Sequence, residues 1–423
     1  MNNMMEPKIR FKGFEGEWKA PSIGEVFELR NGYTPSKAVN AFWEGGTIPW
    51  FRMEDIRTNG GILKDAIQHI TPLAVKGAGL FEKNSIILAT TATIGVHAML
   101  IADSLANQQF TNFRVRKSLS NSYIDNFLYY SFFNIDEWSK KNTNSGGLLS
   151  VNMPLLVKQP LYSPCKQEQQ AIASYFTSLD SQISAATSRL ASLKQMKAAS
   201  LQAMFPQEGE TVPKIRFKGF EGEWKKVMFS ETFEFLKNNS LSRAELSNEG
   251  DIVNVHYGDV LIKYGDLLNI QNEELTFIAD NKIGNTLYNS CHLQNGDIII
   301  ADAAEDNTVG KCSEIVNICN KRVVSGLHTI PCRPLNRFAQ GYLGHYINSE
   351  SYHNQLLPLI QGSKISSISK KTLSQTIVLV PSIEEQKCIG NYFTSLDRQI
   401  SLQSQRLEKL KQIKSACLEK MFV

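Results

Sequence analysis

The chain has 423 residues, room for two or three domains, and its 42% apolar and 20% charged composition excludes a disordered chain. A net charge of +4 neither demands nor excludes a nucleic-acid partner, because basic side chains can be gathered on one face. No stretch of about 18 apolar residues and no apolar leader follows Met1, which predicts a cytoplasmic protein without a membrane span.

In chain order, the first feature is the phrase PKIRFKGFEGEWK, Pro7 to Lys19, which recurs letter for letter from Pro213 to Lys225, an offset of 206. Behind the first copy lies a body, Ala20 to Ser163. It opens with a turn-rich stretch, NGYTPSKAVNAFWEGGTIPWFRMEDI, continues with a strand pattern broken at Gly95 (NSIILATTATIGVHAMLIA), and then shows helical spacing (YIDNFLYYSFFNIDEW).

Next comes a regular apolar seam: Ile172, Phe176, Leu179, Ile183, Ala186, Leu190 and Leu193 follow steps of 4 and 3, the 3.5-residue period of a coiled coil. The same seam returns at an offset of 217, at Ile389, Phe393, Leu396, Ile400, Gln403, Leu407 and Leu410, with Gln403 as a polar interruption able to fix register. Pro164 and Pro381 lie just upstream of the two predicted helices, where proline is tolerated.

Between the helices, PQEGETV leads into the second copy of the opening phrase and a second body, Lys226 to Val380. There NGDIIIADA and TIVLVP read as strands and NRFAQGYLGHYINSESYHNQL as helical, while GSKISSISKKTL matches SGGLLSVNMPLL of the first half as the same strand entry. Because the first helix ends at MF and the chain at MFV, joining tail to head recreates the central junction, which predicts neighbouring termini and a pseudo-twofold repeat.

Catalytic motifs are missing. No Pro-Pro pair supplies an adenine-methyltransferase motif, the stretch ending GKC at Gly310 has Glu305 where a phosphate loop needs glycine, and GAGLFE at Gly77 fails the dinucleotide pattern. The seven cysteines are odd in number and lack CxxC spacing, the Cys291–His292 pair has no partner pair at finger spacing, and Asp302, Glu305 and Asp306 read as a solvated acidic loop.

The duplicated IRFKGFEGEW phrase, the NGYTPSKAVNAFWEGGTIPWFRMEDI stretch and the twice-stated EQ…YFTSLD.QIS helix entry resemble the specificity subunit of type I restriction-modification systems over nearly the whole chain. The resemblance implies an α+β protein: two mixed α/β target recognition domains, 1–163 and 213–380, separated by two long antiparallel coiled-coil helices, 164–205 and 381–423, with a linker at 206–212. It further implies that each domain reads one half of an asymmetric split sequence in double-stranded DNA. The helices would set the spacing and dock two methyltransferase subunits, with restriction/translocase subunits joining. The chain would itself catalyse nothing, and S-adenosylmethionine, ATP and magnesium would belong to the partner subunits. Guanine is read by Arg or Lys and adenine by Asn or Gln. On that basis the first-domain candidates are Tyr33, Thr34, Ser36, Lys37, Trp43 and Arg52, from the matching loop; Asn238, Asn239, Arg243 and Lys263 are chosen in the second, which lacks the TPS…GG.IPW phrase. Trp18 and Trp224 lie in the identical phrase and are expected to anchor it, since one phrase cannot read two sequences. The competing readings are a fused restriction enzyme, opposed by the missing motifs, and a coiled-coil adaptor that binds proteins rather than DNA.

Overall fold

The computed structural model describes residues 6–144, 149–271, 273–362 and 365–423. The chain divides into two compact units, Met1–Thr187 with Gln405–Val423, and Ser188–Ser404. Two helices of 39 residues each, Lys166–Met204 and Ile383–Met421, begin in one unit and end in the other; at about 1.5 Å per residue each is roughly 58 Å long.

In the first unit a five-stranded sheet runs in the order Phe27–Asn31, Phe110–Val115, Ile86–Ala89, His97–Leu100, Ile62–Leu63, antiparallel except for its last pair. Its middle hairpin is the strand pattern expected to break at Gly95, and that glycine has φ 71 and abuts the helix Asp125–Lys141, where a Cβ would lie 2.5 Å from the Asp136 carbonyl. A smaller sheet sets Ile48–Phe51 between the antiparallel His69–Ile70 and the parallel Leu105–Ala106.

The second unit repeats this plan. Its five-stranded sheet has the order Phe233–Phe235, Thr329–Pro334, Ile298–Ala301, Cys312–Val316, Leu267–Asn269, again antiparallel except for the last pair. In its smaller sheet Ile252–Val255 lies between the antiparallel Phe277–Ile278 and the parallel Arg322–Ser325. The strand entry matched between the halves is present in both, Ser150 bridging Thr91 and Ser367 pairing with Ala303, although residues 145–148 and 363–364 of those phrases lie outside the described residues.

The opening phrase does the same work in each unit. Arg10 grips the carboxylate of Glu168 with two hydrogen bonds of 2.7 Å and also donates to the Gly16 carbonyl; Arg216 grips Glu385 at 2.7 and 2.8 Å and donates to the Gly222 carbonyl. Both glutamates are 1% exposed and stand at the start of a long helix, so each arginine neutralises a buried charge. Trp18 and Trp224, each 2% exposed, are core residues as expected. In the first unit Trp18 and Phe127 pack on Phe422 and the Ile9 amide donates to the Lys420 carbonyl at 2.9 Å, which sets the opening phrase against the end of the second long helix. In the second, Trp224 and Tyr342 pack on Phe205 and the Ile215 amide donates to the Ala203 carbonyl at 2.9 Å.

The seam positions Ile172, Phe176, Leu179, Ala186, Leu193, Ile389, Phe393, Leu396, Gln403 and Leu407 are buried, and Ile183, Leu190, Ile400 and Leu410 half-buried. Inside each unit the two long helices run antiparallel, with Asp180 ion-paired to Lys414 at 2.6 Å in the first and Asp397 to Lys197 at 2.5 Å in the second.

Candidate nucleic-acid interface

In each unit the middle strand of the smaller sheet runs straight into a short helix. Arg52 is the N-cap of Met53–Asn59, and the buried Asp55 turns that corner by accepting from the Arg52 and Ile67 amides, both at 2.7 Å. His256 is the N-cap of Tyr257–Ile262, its Nδ1 accepting from the Gly258 amide at 3.2 Å, and Asp259 stands where Asp55 does.

Two further loops close on each corner. In the first unit the Asn107 amide donates to the Phe51 carbonyl at 3.0 Å and the Tyr33 amide to the Ala106 carbonyl at 2.9 Å. In the second, the Gly326 amide donates to the Val255 carbonyl at 2.8 Å and the Asn239 amide to the Ser325 carbonyl at 2.9 Å. Three loops far apart in sequence therefore meet at one end of each smaller sheet, a loop platform on a rigid scaffold.

Of the first-unit candidates, Ser36 and Lys37 are exposed and Tyr33, Thr34, Trp43 and Arg52 half-buried. Tyr33 is fixed in place: its hydroxyl donates to the Ala74 carbonyl at 3.1 Å and accepts from the Lys76 amide at 2.9 Å, and the Lys76 ammonium stands 4.5 Å from its ring centre. Trp43 donates to the Ser36 carbonyl at 3.0 Å and packs edge-on against Trp50 at 5.1 Å, so it shapes the loop. Thr34 donates to Gln108 at 2.5 Å across 74 residues of sequence, and the Arg52 guanidinium lies 3.0 Å from Glu54.

In the second unit Asn238 and Arg243 are exposed at the platform. Asn238 donates to the Gly326 carbonyl at 3.4 Å, and Arg243 makes two hydrogen bonds, 2.7 and 2.9 Å, to Asp259. Asn239 is 8% exposed and spent internally, donating to Asn254 at 2.7 Å and to the Ser325 carbonyl at 2.8 Å while accepting from the Leu241 amide at 3.1 Å. Lys263 sits at the other end of the helix Tyr257–Ile262, 3.7 Å from Glu274, and borders a different hollow from the one lined by Asn238, Asp302 and His328.

Residues not singled out from the sequence complete both platforms. The first gains Gln108, exposed, and Gln109, half-buried, which follow the strand Leu105–Ala106. In the second, the Tyr257 ring stands between His256 and His328, at 4.7 and 5.2 Å, and His328 adopts φ 54 with its Nδ1 3.2 Å from Asp302. Burial first, and then the Arg243 guanidinium, hold His256 below its ordinary value, whereas burial raises the Asp302 carboxyl. A signal for the second platform does exist in the sequence: GTIPWFRMED, Gly46 to Asp55, and GDIVNVHYGD, Gly250 to Asp259, share G-x-I and a terminal Asp at identical spacing. Both glycines are needed for close strand approach, since a Cβ would lie 2.7 Å from the His69 backbone at Gly46 and 2.8 Å from the Phe277 side chain at Gly250.

Among the described residues, one trio has metal-ligand spacing, Asp266, His345 and Asp397 in the second unit, and the Lys197 ammonium lies between its two carboxylates at 2.6 and 2.5 Å. No helix of the described residues is long and apolar enough to cross a membrane.

A repeated body on repeated long helices defines a class, and comparison with known proteins gives it a family. The chain belongs to the type I restriction modification DNA specificity domain family, whose model matches residues 15–195 and 221–412. Over 153 residues it is 46% identical to the specificity subunit of the type I restriction enzyme EcoprrI of Escherichia coli, an alignment covering 36% of this chain and 38% of that one. It is 26% identical over 252 residues to the MjaIX specificity subunit of Methanocaldococcus jannaschii (57% and 53% covered), and 20% identical over 411 residues to the MjaVIII subunit of the same organism (94% and 90%). The chain thus spans about two fifths and about half of the length of the first two. Its fold is similar to that of the type I restriction-modification S subunit from M. genitalium, with a TM-score of 0.59 at 16% identity and 99% of each chain covered. It is also similar, at a TM-score of 0.54 and 17% identity, to a chain from a structural study of complex assembly and conformational transition in a type I system, covering 96% and 97%.

Proposed function

We propose that this chain is the DNA-recognition subunit of a type I restriction-modification complex. One observation carries the reading: two bodies whose five-stranded sheets share one strand order present different side chains at the same loop platform, as two readers of two different base clusters require. The target recognition domains would span 1–163 and 213–380, and the long helices, 164–205 and 381–423, would form an antiparallel coiled coil that relates them as a pseudo-twofold repeat and fixes their spacing. Thr34, Arg52, Gln108 and Gln109 would read the first half, and Asn238, His256, Tyr257 and His328 the second, with exposed Lys37 and Arg243 toward phosphate or guanine.

In this reading the chain is non-catalytic. It would assemble in the cytoplasm with two methyltransferase subunits docked on the helices and opening phrases, and with restriction/translocase subunits; those partners would carry S-adenosylmethionine, ATP and magnesium. The test is co-expression with its methyltransferase in a methylation-free host, with modified adenines mapped across the genome by single-molecule sequencing. A split, asymmetric motif methylated on both strands is the expected result. A stable complex that modifies no adenine refutes the reading.

A further inference from the structure

The two units join body to helix differently. By strand register Asp266 of the second unit corresponds to Gly61 of the first, since Leu267 lies opposite Glu314 as Ile62 lies opposite Met99. Likewise His345 corresponds to Tyr130, each contacting the aspartate of its long helix at 2.9 Å.

In the first unit the helix pair Lys414–Asp180 meets the body through aromatic rings: the Tyr130 hydroxyl donates to Asp180, and the Lys414 ammonium lies 5.8 and 5.4 Å from the Tyr130 and Phe133 ring centres. In the second unit the Lys197 ammonium bridges Asp397 of the helix, at 2.5 Å, and Asp266 of the body, at 2.6 Å. The network continues outward. Asn348 donates to Asp266 at 2.7 Å, and the fully buried His345 lies 2.9 Å from Asp397 and 3.7 Å from Asp266 through Nε2, while its Nδ1 lies 2.5 Å from the Gly341 carbonyl. Because a carbonyl only accepts, Nδ1 of His345 donates to Gly341, which turns Nε2 toward Asp397. Gly344 makes the approach possible, since a Cβ there would lie 2.3 Å from the Asp266 carbonyl.

The first joint has one hydrogen bond from the body to the helix pair, Tyr130 to Asp180, beside cation–ring contacts that tolerate small shifts, whereas the second ties its pair to the body through both Lys197–Asp266 and His345–Asp397, which together hold one geometry. We propose that the Lys197–Asp266 link, braced by Asp397, His345 and Asn348, is the device that positions the second body on the long helices, and that it restricts the complex to one spacer length between the two half-sites. This rests on the function proposed above. Lys197 and Asp266 are positioning residues and touch no base.

The test compares the chain in complex with its methyltransferase against Lys197→Met, Lys197→Arg and Asp266→Asn. The readout is the methylated fraction at genomic sites whose two halves are intact but whose spacer is one base pair longer or shorter. Lys197→Met loses both of the lysine's charge-assisted bonds, of which the one to Asp266 joins body to helix, and should lower the discrimination between spacers roughly tenfold, with the bases of both halves unchanged and Lys197→Arg restoring it. Asp266→Asn, which leaves the Lys197–Asp397 helix pair in place, should relax spacing too and serves if the lysine variant does not fold. Single-spacer methylation in both neutralised variants, at full or uniformly reduced level, overturns the proposal. Absence of any split motif in the unsubstituted complex instead overturns the function on which it rests.

Discussion

Replacing Arg216 with methionine tests what the repeated phrase is for. Glu385 is 1% exposed and receives two hydrogen bonds from the guanidinium, at 2.7 and 2.8 Å. Removing one partner of a buried ion pair strands the other and costs about 3–5 kcal/mol; the 15% exposure of the Arg216 side chain lets water approach and argues for the lower end, about 3. For a unit of roughly two hundred residues that corresponds to about 6–12 °C in the midpoint of its thermal transition, readable by calorimetry. The first unit keeps Arg10 and Glu168, so its own transition is an internal reference. Adding Glu385→Gln to the variant removes the stranded charge and should recover most of the loss. A shift of less than about 2 °C in Arg216→Met, or a double variant no better than the single one, refutes this role of the Arg216–Glu385 pair.

Gly390→Ala should destabilise the second unit by about 1–3 kcal/mol in thermal unfolding, because the new Cβ would lie 2.4 Å from the Gln340 carbonyl, whereas the first unit accommodates Ala173 at the corresponding position, 1% exposed. His256 is held below its ordinary value of 6.5 by burial and then by Arg243, so the unfolded chain binds the proton more readily than the folded one. Its stabilising contribution is therefore complete above about pH 6.5 and is lost as pH falls toward the depressed folded value; His256→Asn, which keeps a cap acceptor, should flatten the second unit's stability between pH 5 and 6.5 in melts run across that range. Substituting Gln108 or Arg52 by alanine should relax bases in one half of the methylated motif, and His328→Ala bases in the other, each by about 1–3 kcal/mol of discrimination, measured as loss of base preference in the methylation map.

The sequence displays what is local or repeated and hides what is neither. The opening phrases, the seam and the long helices are legible because a 3.5-residue period and identical letters need no partner to be recognised. The platforms are not, because each is assembled by parallel pairing of strands far apart, Trp50 with Leu105 and Asn254 with Val324. Thr34 therefore stands in a readable phrase, yet Gln108, which it touches, does not. The second platform has a faint trace, the G-x-I spacing from Gly250 to Asp259, masked because Trp50 and Arg52 of the first body are replaced by Asn254 and His256.

This division follows from what each segment contacts. A phrase that always meets the same groups, a buried glutamate and a helix end, is held to one solution, so Arg10 and Arg216, or Trp18 and Trp224, are interchangeable in letter and in role. The joint between body and helix has to satisfy only its own unit, and Gly61 with Tyr130 on one side and Asp266 with His345 on the other are two solutions to one packing problem. A body exchanged between such chains must therefore bring its own side of the joint with it. If Ala20 to Ser163 is replaced by a foreign body whose counterpart of Gly61 is acidic, the acid would come up against the Lys414–Asp180 pair, where the first unit now offers the rings of Tyr130 and Phe133. Such a chimera should methylate at its new half-site when the acid arrives with a histidine at the Tyr130 position, a combination the equivalent Lys197–Asp397 pair already accepts, and poorly when the acid arrives with a tyrosine there.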